Sequence, residues 1–160
     1  MTQRPGRVMA LDLGSKRIGV ASTDVTQTLA SPYEVILRRG NHAADHRAIA
    51  ATLEELEAVR VIVGLPISLN GQEGKAAQLI RAEYEELAAT LSVPVELFDE
   101  RFTTTTAHTT LMEQKMKADA RRRVVDKVAA AVLLQAWLNT QPARIEADNR
   151  PDLTNIGDAP

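Results

Sequence analysis

Three groups of acids, far apart in the chain, carry the chemistry latent in this sequence. Asp12 stands near the end of "VMALDLG" (Val8–Gly14), where an apolar run leads to a single aspartate and then a glycine. Asp99 and Glu100 close "VELFDE", and Asp126 opens the apolar stretch "DKVAAAVLLQAWL". A carboxylate at the end of a strand that reads as buried needs a partner, because an ionised group taken out of water is strongly disfavoured. Carboxylates brought together repel one another unless a cation or a proton compensates them, and oxygen-only donors suit Mg²⁺ or Mn²⁺. Two such ions about 4 Å apart activate water and neutralise the leaving oxygen in phosphodiester hydrolysis. The acids therefore point to metal-dependent nuclease chemistry.

The elements that would position them alternate in type. Arg7–Leu13 is apolar enough for a central strand, and Ile18–Ser22 and Tyr33–Leu37 read as the strands that follow it in an antiparallel start. Asn41 is a plausible N-cap for a helix through "HAADHRAIAATLEELEAV", in which Ile49, Leu53 and Leu56 keep helical spacing. Val59–Pro66 is a β-branched strand stopped by Gly64 and Pro66, and a helix over "KAAQLIRAEYEELAATL" follows. A strand over Val93–Glu100 and two helices, Thr105–Met116 and Asp126–Leu138, complete the order βββαβαβαα. Strands alternating with helices call for a mixed sheet covered on both faces, with ligands gathering at the carboxyl ends of its strands.

Asp12 and the Asp99–Glu100 pair sit at two such ends. Strand side chains alternate, so only one of Asp99 and Glu100 should meet Asp12, and the pattern alone does not choose. Positions 126, 130, 133 and 137 form one helical stripe of Asp126, Ala130, Leu133 and Trp137. Asp126 thus begins the face that packs on the sheet, or else merely caps its helix.

The rest of the composition bounds the reading. The chain has 160 residues, 44% of them hydrophobic, enough for the core of one domain. With no cysteine, disulfides, thiolate metal sites and cysteine nucleophiles are excluded. No apolar run approaches the ~18 residues of a membrane span, and Met1–Gly6 lacks the core of a secretory signal, so a cytoplasmic protein without membrane association is expected. The net charge of −2 is no footprint of nucleic-acid binding, but its distribution is uneven. Lys115–Lys127 ("KMKADARRRVVDK") sets six basic side chains, among them Arg121, Arg122, Arg123 and Lys127, against two acids, as either a solvated face or a phosphate-binding segment. Lys16 and Arg17, in the turn after Asp12, and Arg101, beside Glu100, are candidates for phosphate contact; Arg101 could also orient Glu100 or pair with a surface acid. His42 and His46 stand at i and i+4 as in a zinc-protease helix, but the adjacent glutamate is missing, so no zinc site is expected there.

"ALDLGSKRIGVA", "VIVGLP" with "LNGQEG" after it, "DERFTT" and "VDKVAAAVLLQAWL" resemble, in order and spacing, the YqgF/RuvX family. The resemblance covers Val8 to Leu138. It implies a ribonuclease H-like α/β fold related to the resolvase RuvC, with a mixed five-stranded sheet, the first three strands antiparallel, the fourth and fifth parallel to the first, and helices on both faces. It also implies an acidic set of Asp12, Glu100 and Asp126 that both holds Mg²⁺ or Mn²⁺ and is catalytic, choosing Glu100 over Asp99. The expected activity is Holliday junction resolution or maturation of the 5′ end of pre-16S rRNA, and the likeness to resolvases implies a homodimer. The nuclease domain is expected over residues 1–139, with 140–160 a disordered tail. Two rivals remain: a non-catalytic RNA-binding ribosome assembly factor on the same fold, and an actin-like ATPase, disfavoured because the chain offers no second Asp-x-Gly strand.

Overall fold

The computed structural model describes residues 6–68, 70–103 and 118–141. Five strands form one sheet: β1 (Arg7–Leu13), β2 (Arg17–Thr23), β3 (Ala30–Leu37), β4 (Ala58–Leu65) and β5 (Val95–Asp99). Their order across the sheet is β3-β2-β1-β4-β5. β1 pairs antiparallel with β2, and β2 with β3, while β4 runs parallel to both β1 and β5. The α-helices among the described residues are α1 (His42–Leu56), α2 (Lys75–Thr90) and α3 (Ala118–Asn139). No helix among the described residues is long and apolar enough to cross a membrane.

The continuous apolar run in β1 follows from its place in the middle of the sheet with both faces covered. Met9, Leu11 and Leu13 pack with Ile49, Leu53 and Leu56 of α1 and Leu87 of α2. Val8 and Ala10 pack on the other side with Ala130, Leu133, Leu134 and Trp137 of α3. Because side chains alternate along a strand, the next even position, Asp12, belongs to the α3 face. The first turn is closed by Gly14, whose N–H donates to the Arg17 carbonyl at 3.0 Å. A Cβ on Gly14 would lie 2.5 Å from that same oxygen, so no larger residue fits this turn.

Asn41 caps α1 as its side chain predicts, accepting the Ala44 N–H at 2.7 Å. The helix ends at Leu56 because Glu57 turns left-handed (φ 52°) and its N–H bonds back to Glu54 and Leu53. β2 and β3 begin earlier than their apolar residues indicate, at Arg17 and Ala30. Two differences bear on the site. β5 stops at Asp99, and Glu100 starts a 3₁₀ turn through Phe102 rather than ending the strand. α3 begins at Ala118 rather than Asp126, which puts Asp126 in the helix's third turn and rules out the capping role. Its first turns are polar, so no apolar stripe marks them; the stripe starts only where the helix meets the sheet. The helix expected over 105–116, and the tail from 142 onward, lie outside the described residues.

Candidate active site

Asp12 is flanked on both sides by glycine. Across β2 it is paired with Gly19, and on the β4 side the register runs Leu11↔Val63, so Gly64 comes level with Asp12 one residue on. Both glycines leave space on the α3 face, and that space is used. A Cβ on Gly19 would come 2.1 Å from the Asp126 carbonyl oxygen, so α3 rests directly on the backbone of β2 there. A Cβ on Gly64 would come 2.6 Å from Glu100 Oε1 and 3.1 Å from Leu133 Cδ2, so the Glu100 carboxyl lies over β4. The two clearings bring Glu100 and the Asp126 segment of α3 to either side of Asp12. Glycine inside a strand is a legible sign of close approach, and these two are the site-forming residues that attention to charged groups alone misses.

The electrostatics follow from that convergence. Burial, and then the charge of Asp126, push the Asp12 carboxyl up to about 6. Burial, followed by the charges of Asp12 and Asp99, pushes Glu100 up to about 7. Asp99 behaves differently. Its side chain caps the 3₁₀ turn by accepting the Arg101 N–H at 2.9 Å and binds the Arg101 guanidinium, Nη2 to Oδ2 at 2.6 Å. Those hydrogen bonds hold Asp99 below the usual carboxylate range. Of the two neighbouring acids, then, Asp99 is already partnered and Glu100 is the one that faces Asp12's charge. The turn and Arg101 make this distinction, which strand alternation could not.

Among the basic candidates, Arg17 donates from Nε to Asp126 Oδ2 at 2.7 Å, with both side chains about a quarter exposed. Arg101 is committed to Asp99 rather than to Glu100, and Gly71 lies close by, a Cβ there falling 3.7 Å from Arg101 Nη1. Lys16 is exposed in the turn beside Asp12, and Lys127 is half-buried on α3. Arg121, Arg122 and Arg123 belong to the first turns of α3, and their side chains lie outside the described residues.

Behind the site, on the opposite face, Arg38 holds the turn that follows Asp12. Its Nε donates to the Gly14 carbonyl at 2.8 Å, while its other nitrogens bond Glu83 twice at 2.8 Å and Asp45 at 3.1 Å. His46 Nε2 lies 2.8 Å from the same Glu83 carboxylate. Although burial works against ionisation, the hydrogen bonds from Arg38 and His46 hold Glu83 below its ordinary value. No sequence spacing points to Arg38, whose partners come from two separate helices.

The donor set suits a hard divalent cation. Three carboxylates border one cleared patch of sheet, and two of them carry repulsion and desolvation that a cation would relieve.

A sheet of order 3-2-1-4-5 with helices on both faces, one of them packed over the first strand's acid, is the ribonuclease H-like fold. Thermus thermophilus RuvC in complex with a Holliday junction substrate superposes with a TM-score of 0.55 over 87% of this chain and 97% of that one, at 14% identity. A second structure of T. thermophilus RuvC gives 0.54. Residues 6–140 match the family described as "RuvX: Holliday junction resolvase", and the chain belongs to that family. A relative from Rhodococcus erythropolis is 45% identical over 145 residues, 88% of this chain and 82% of its own. Another, from an Anaeromyxobacter species, is 47% identical over 137 residues, 86% of this chain and 99% of its own. Both carry the name "Putative pre-16S rRNA nuclease".

Proposed function

We propose that this chain is a cytoplasmic divalent-metal-dependent nuclease that hydrolyses phosphodiester bonds in structured nucleic acid, with Asp12, Glu100 and Asp126 as its catalytic, metal-holding acids. The observation that carries the proposal is the pair of glycine clearings beside Asp12, with Glu100 over one and the Asp126 backbone over the other. Space made at the cost of two side chains, beside an Asp12 and a Glu100 whose carboxyls burial and neighbouring negative charge push up, has little value for stability and a clear use in holding a cation. Bound there, Mg²⁺ or Mn²⁺ supplies Lewis acidity toward the scissile phosphate and compensates the charge that builds up on it.

The protein's own groups divide the remaining work. Asp12 is anchored by the central strand, Asp126 by a long helix seated on Gly19, and Glu100 by a tight turn that Asp99 caps. Arg17 holds the Asp126 carboxylate in place. Lys16, Arg101, Arg121, Arg122, Arg123 and Lys127, with Arg17 where the substrate displaces it, supply phosphate contacts. With only five aromatic residues in the chain, stacking on splayed bases is secondary, so backbone charge and shape dominate recognition and affinity falls steeply with salt.

Two substrates fit this chemistry, a four-way DNA junction and the 5′ end of precursor 16S rRNA. The first requires a two-fold homodimer to make paired cuts, and the second requires one site only. The test offers both substrates to purified protein with Mn²⁺, Mg²⁺ or EDTA and maps the cuts, alongside Asp12→Asn and Glu100→Gln. Metal-dependent cleavage of either substrate, lost in both variants, supports the proposal. Tight binding with no cleavage of either would replace it with a non-catalytic assembly factor.

A further inference from the structure

The α1/α2 face contains a second group of metal-ligating side chains that the nuclease site does not use. His42 and His46 lie one turn apart on α1, their rings stacked with centroids 5.4 Å apart. Glu86, on α2, brings Oε2 to 2.8 Å from His42 Nδ1 and 4.0 Å from His46 Nδ1. One donor atom from each of the three lies within 4.8 Å of the others, the one such group of His and acid ligands among the described residues. α1 lacks the general-base glutamate that a zinc-protease helix carries beside its first histidine, so nothing here points to protease chemistry; what α2 adds is a third ligand, Glu86.

The surroundings of His46 sharpen the case. This histidine is buried, and its Nε2 faces Glu83, whose carboxylate is held on both oxygens by Arg38. An ionised acceptor there favours the tautomer in which Nε2–H donates to Glu83 and the lone pair lies on Nδ1, the atom turned toward Glu86. A carboxylate behind an imidazole in this way is the usual means of fixing the tautomer and raising the basicity of a metal-ligating histidine. As a bare ion pair, by contrast, His42–Glu86 is half-exposed and of little energetic value.

We propose that His42, His46 and Glu86 form a binding site for one divalent transition-metal ion of the zinc class, separate from the acidic site and clipping α1 to α2. Two imidazole nitrogens and one carboxylate oxygen suit Zn²⁺, whereas Mg²⁺ prefers an all-oxygen shell. His42 and Glu86 are about half exposed, so the remaining coordination position opens to solvent. The site stands independently of the nuclease proposal. It does touch the same molecule-wide frame, because Arg38, which braces Glu83 behind His46, also holds the Gly14 carbonyl two residues beyond Asp12.

The experiment titrates metal-free, full-length protein with Zn²⁺ by calorimetry and with Co²⁺ by its visible absorption, in excess Mg²⁺ so that the acidic site is occupied. Wild type and Asp126→Asn should each bind one Zn²⁺ with equal affinity and show a Co²⁺ spectrum of low coordination number. Glu83→Gln should weaken Zn²⁺ binding about 10–100-fold, and His42→Ala, at an exposed position that does not threaten folding, should weaken it further. Glu86→Gln should remove the Zn²⁺-induced rise in melting temperature while leaving the metal-free melting temperature close to wild type. Failure of wild type to bind Zn²⁺, or binding retained in His42→Ala and lost in Asp126→Asn, would overturn the proposal.

Discussion

The two faces of the sheet each gather carboxylates near the same turn, and they treat them in opposite ways. On the α1/α2 face, Asp45 and Glu83 are buried around the Arg38 guanidinium, and each is held below its ordinary pKa despite burial. On the α3 face, Asp12 and Glu100 are pushed up to about 6 and about 7, and the nearby Arg17 pairs with Asp126 instead of with either of them. The first cluster is internally compensated, so its members serve the fold. The second is left short of positive charge, and its members impose a cost on the metal-free fold.

The largest loss of stability is expected at Arg38. Arg38→Met strands two nearly buried carboxylates, and the loss of such a partner costs roughly 3–5 kcal/mol. Adding Glu83→Gln should recover part of that loss, and urea midpoints of the single and double variants measure it. If Arg38→Met unfolds at the wild-type midpoint, the compensated cluster is not what holds that face.

The two clearings come next. Gly19→Ala drives a Cβ to 2.1 Å from a backbone oxygen of α3, and such overpacking costs about 1–3 kcal/mol. Gly64→Ala meets mainly the movable end of Glu100, so its stability should change by less than about 1 kcal/mol while cleavage falls sharply. Equal effects on stability from the two substitutions would show that Glu100 is not free to yield.

Acid titration separates the faces by sign. Asp12 and Glu100 have raised folded pKa values, so in EDTA the unfolded chain gives up these protons first and stability falls as pH rises from about 4 to about 7. Asp45 and Glu83 have lowered values, so their contribution is present above the ordinary carboxylate range and is lost only as pH falls through their folded values. Glu100→Gln should flatten the upper part of the profile and leave the acid limb unchanged, as denaturant midpoints against pH will show.

The smallest change in stability is expected at Asp126. Asp126→Ala removes the partly exposed Arg17 pair but also relieves Asp12 of a like charge, and the two effects should cancel to within about 1 kcal/mol in EDTA. A cap would have cost stability outright, but residue 126 lies well inside α3. With Mn²⁺, wild type should gain stability that the variant does not.

What could be seen in the sequence follows from the range of each interaction. β1 and the acid near its end were legible because a buried central strand must be apolar throughout, and the stripe Ala130, Leu133 and Trp137 because its spacing is local; all three are buried as the pattern requires. Asn41 was legible because a cap acts within one turn. The start of α3 was hidden by its polar first turns, and the choice between Asp99 and Glu100 by a turn that begins at the last residue of the strand pattern. The meeting of Arg38 with Glu83, and of His42 with Glu86, joins parts of the chain more than forty residues apart, where neither residue type nor spacing leaves a trace.

The order of strands in the sheet also sets an order of failure. β1 is paired on both sides, and its residues from Val8 to Leu11 are wholly buried, so their amides should be among the last in the molecule to exchange with deuterium. β5 is an outer strand of the described sheet, five residues long and only half-buried throughout. It should open in brief local excursions while the centre stays closed, taking Glu100 away from an Asp12 that has not moved. Mild heating should therefore silence the proposed site below the temperature at which the fold is lost, and cooling should restore it without any refolding of the core.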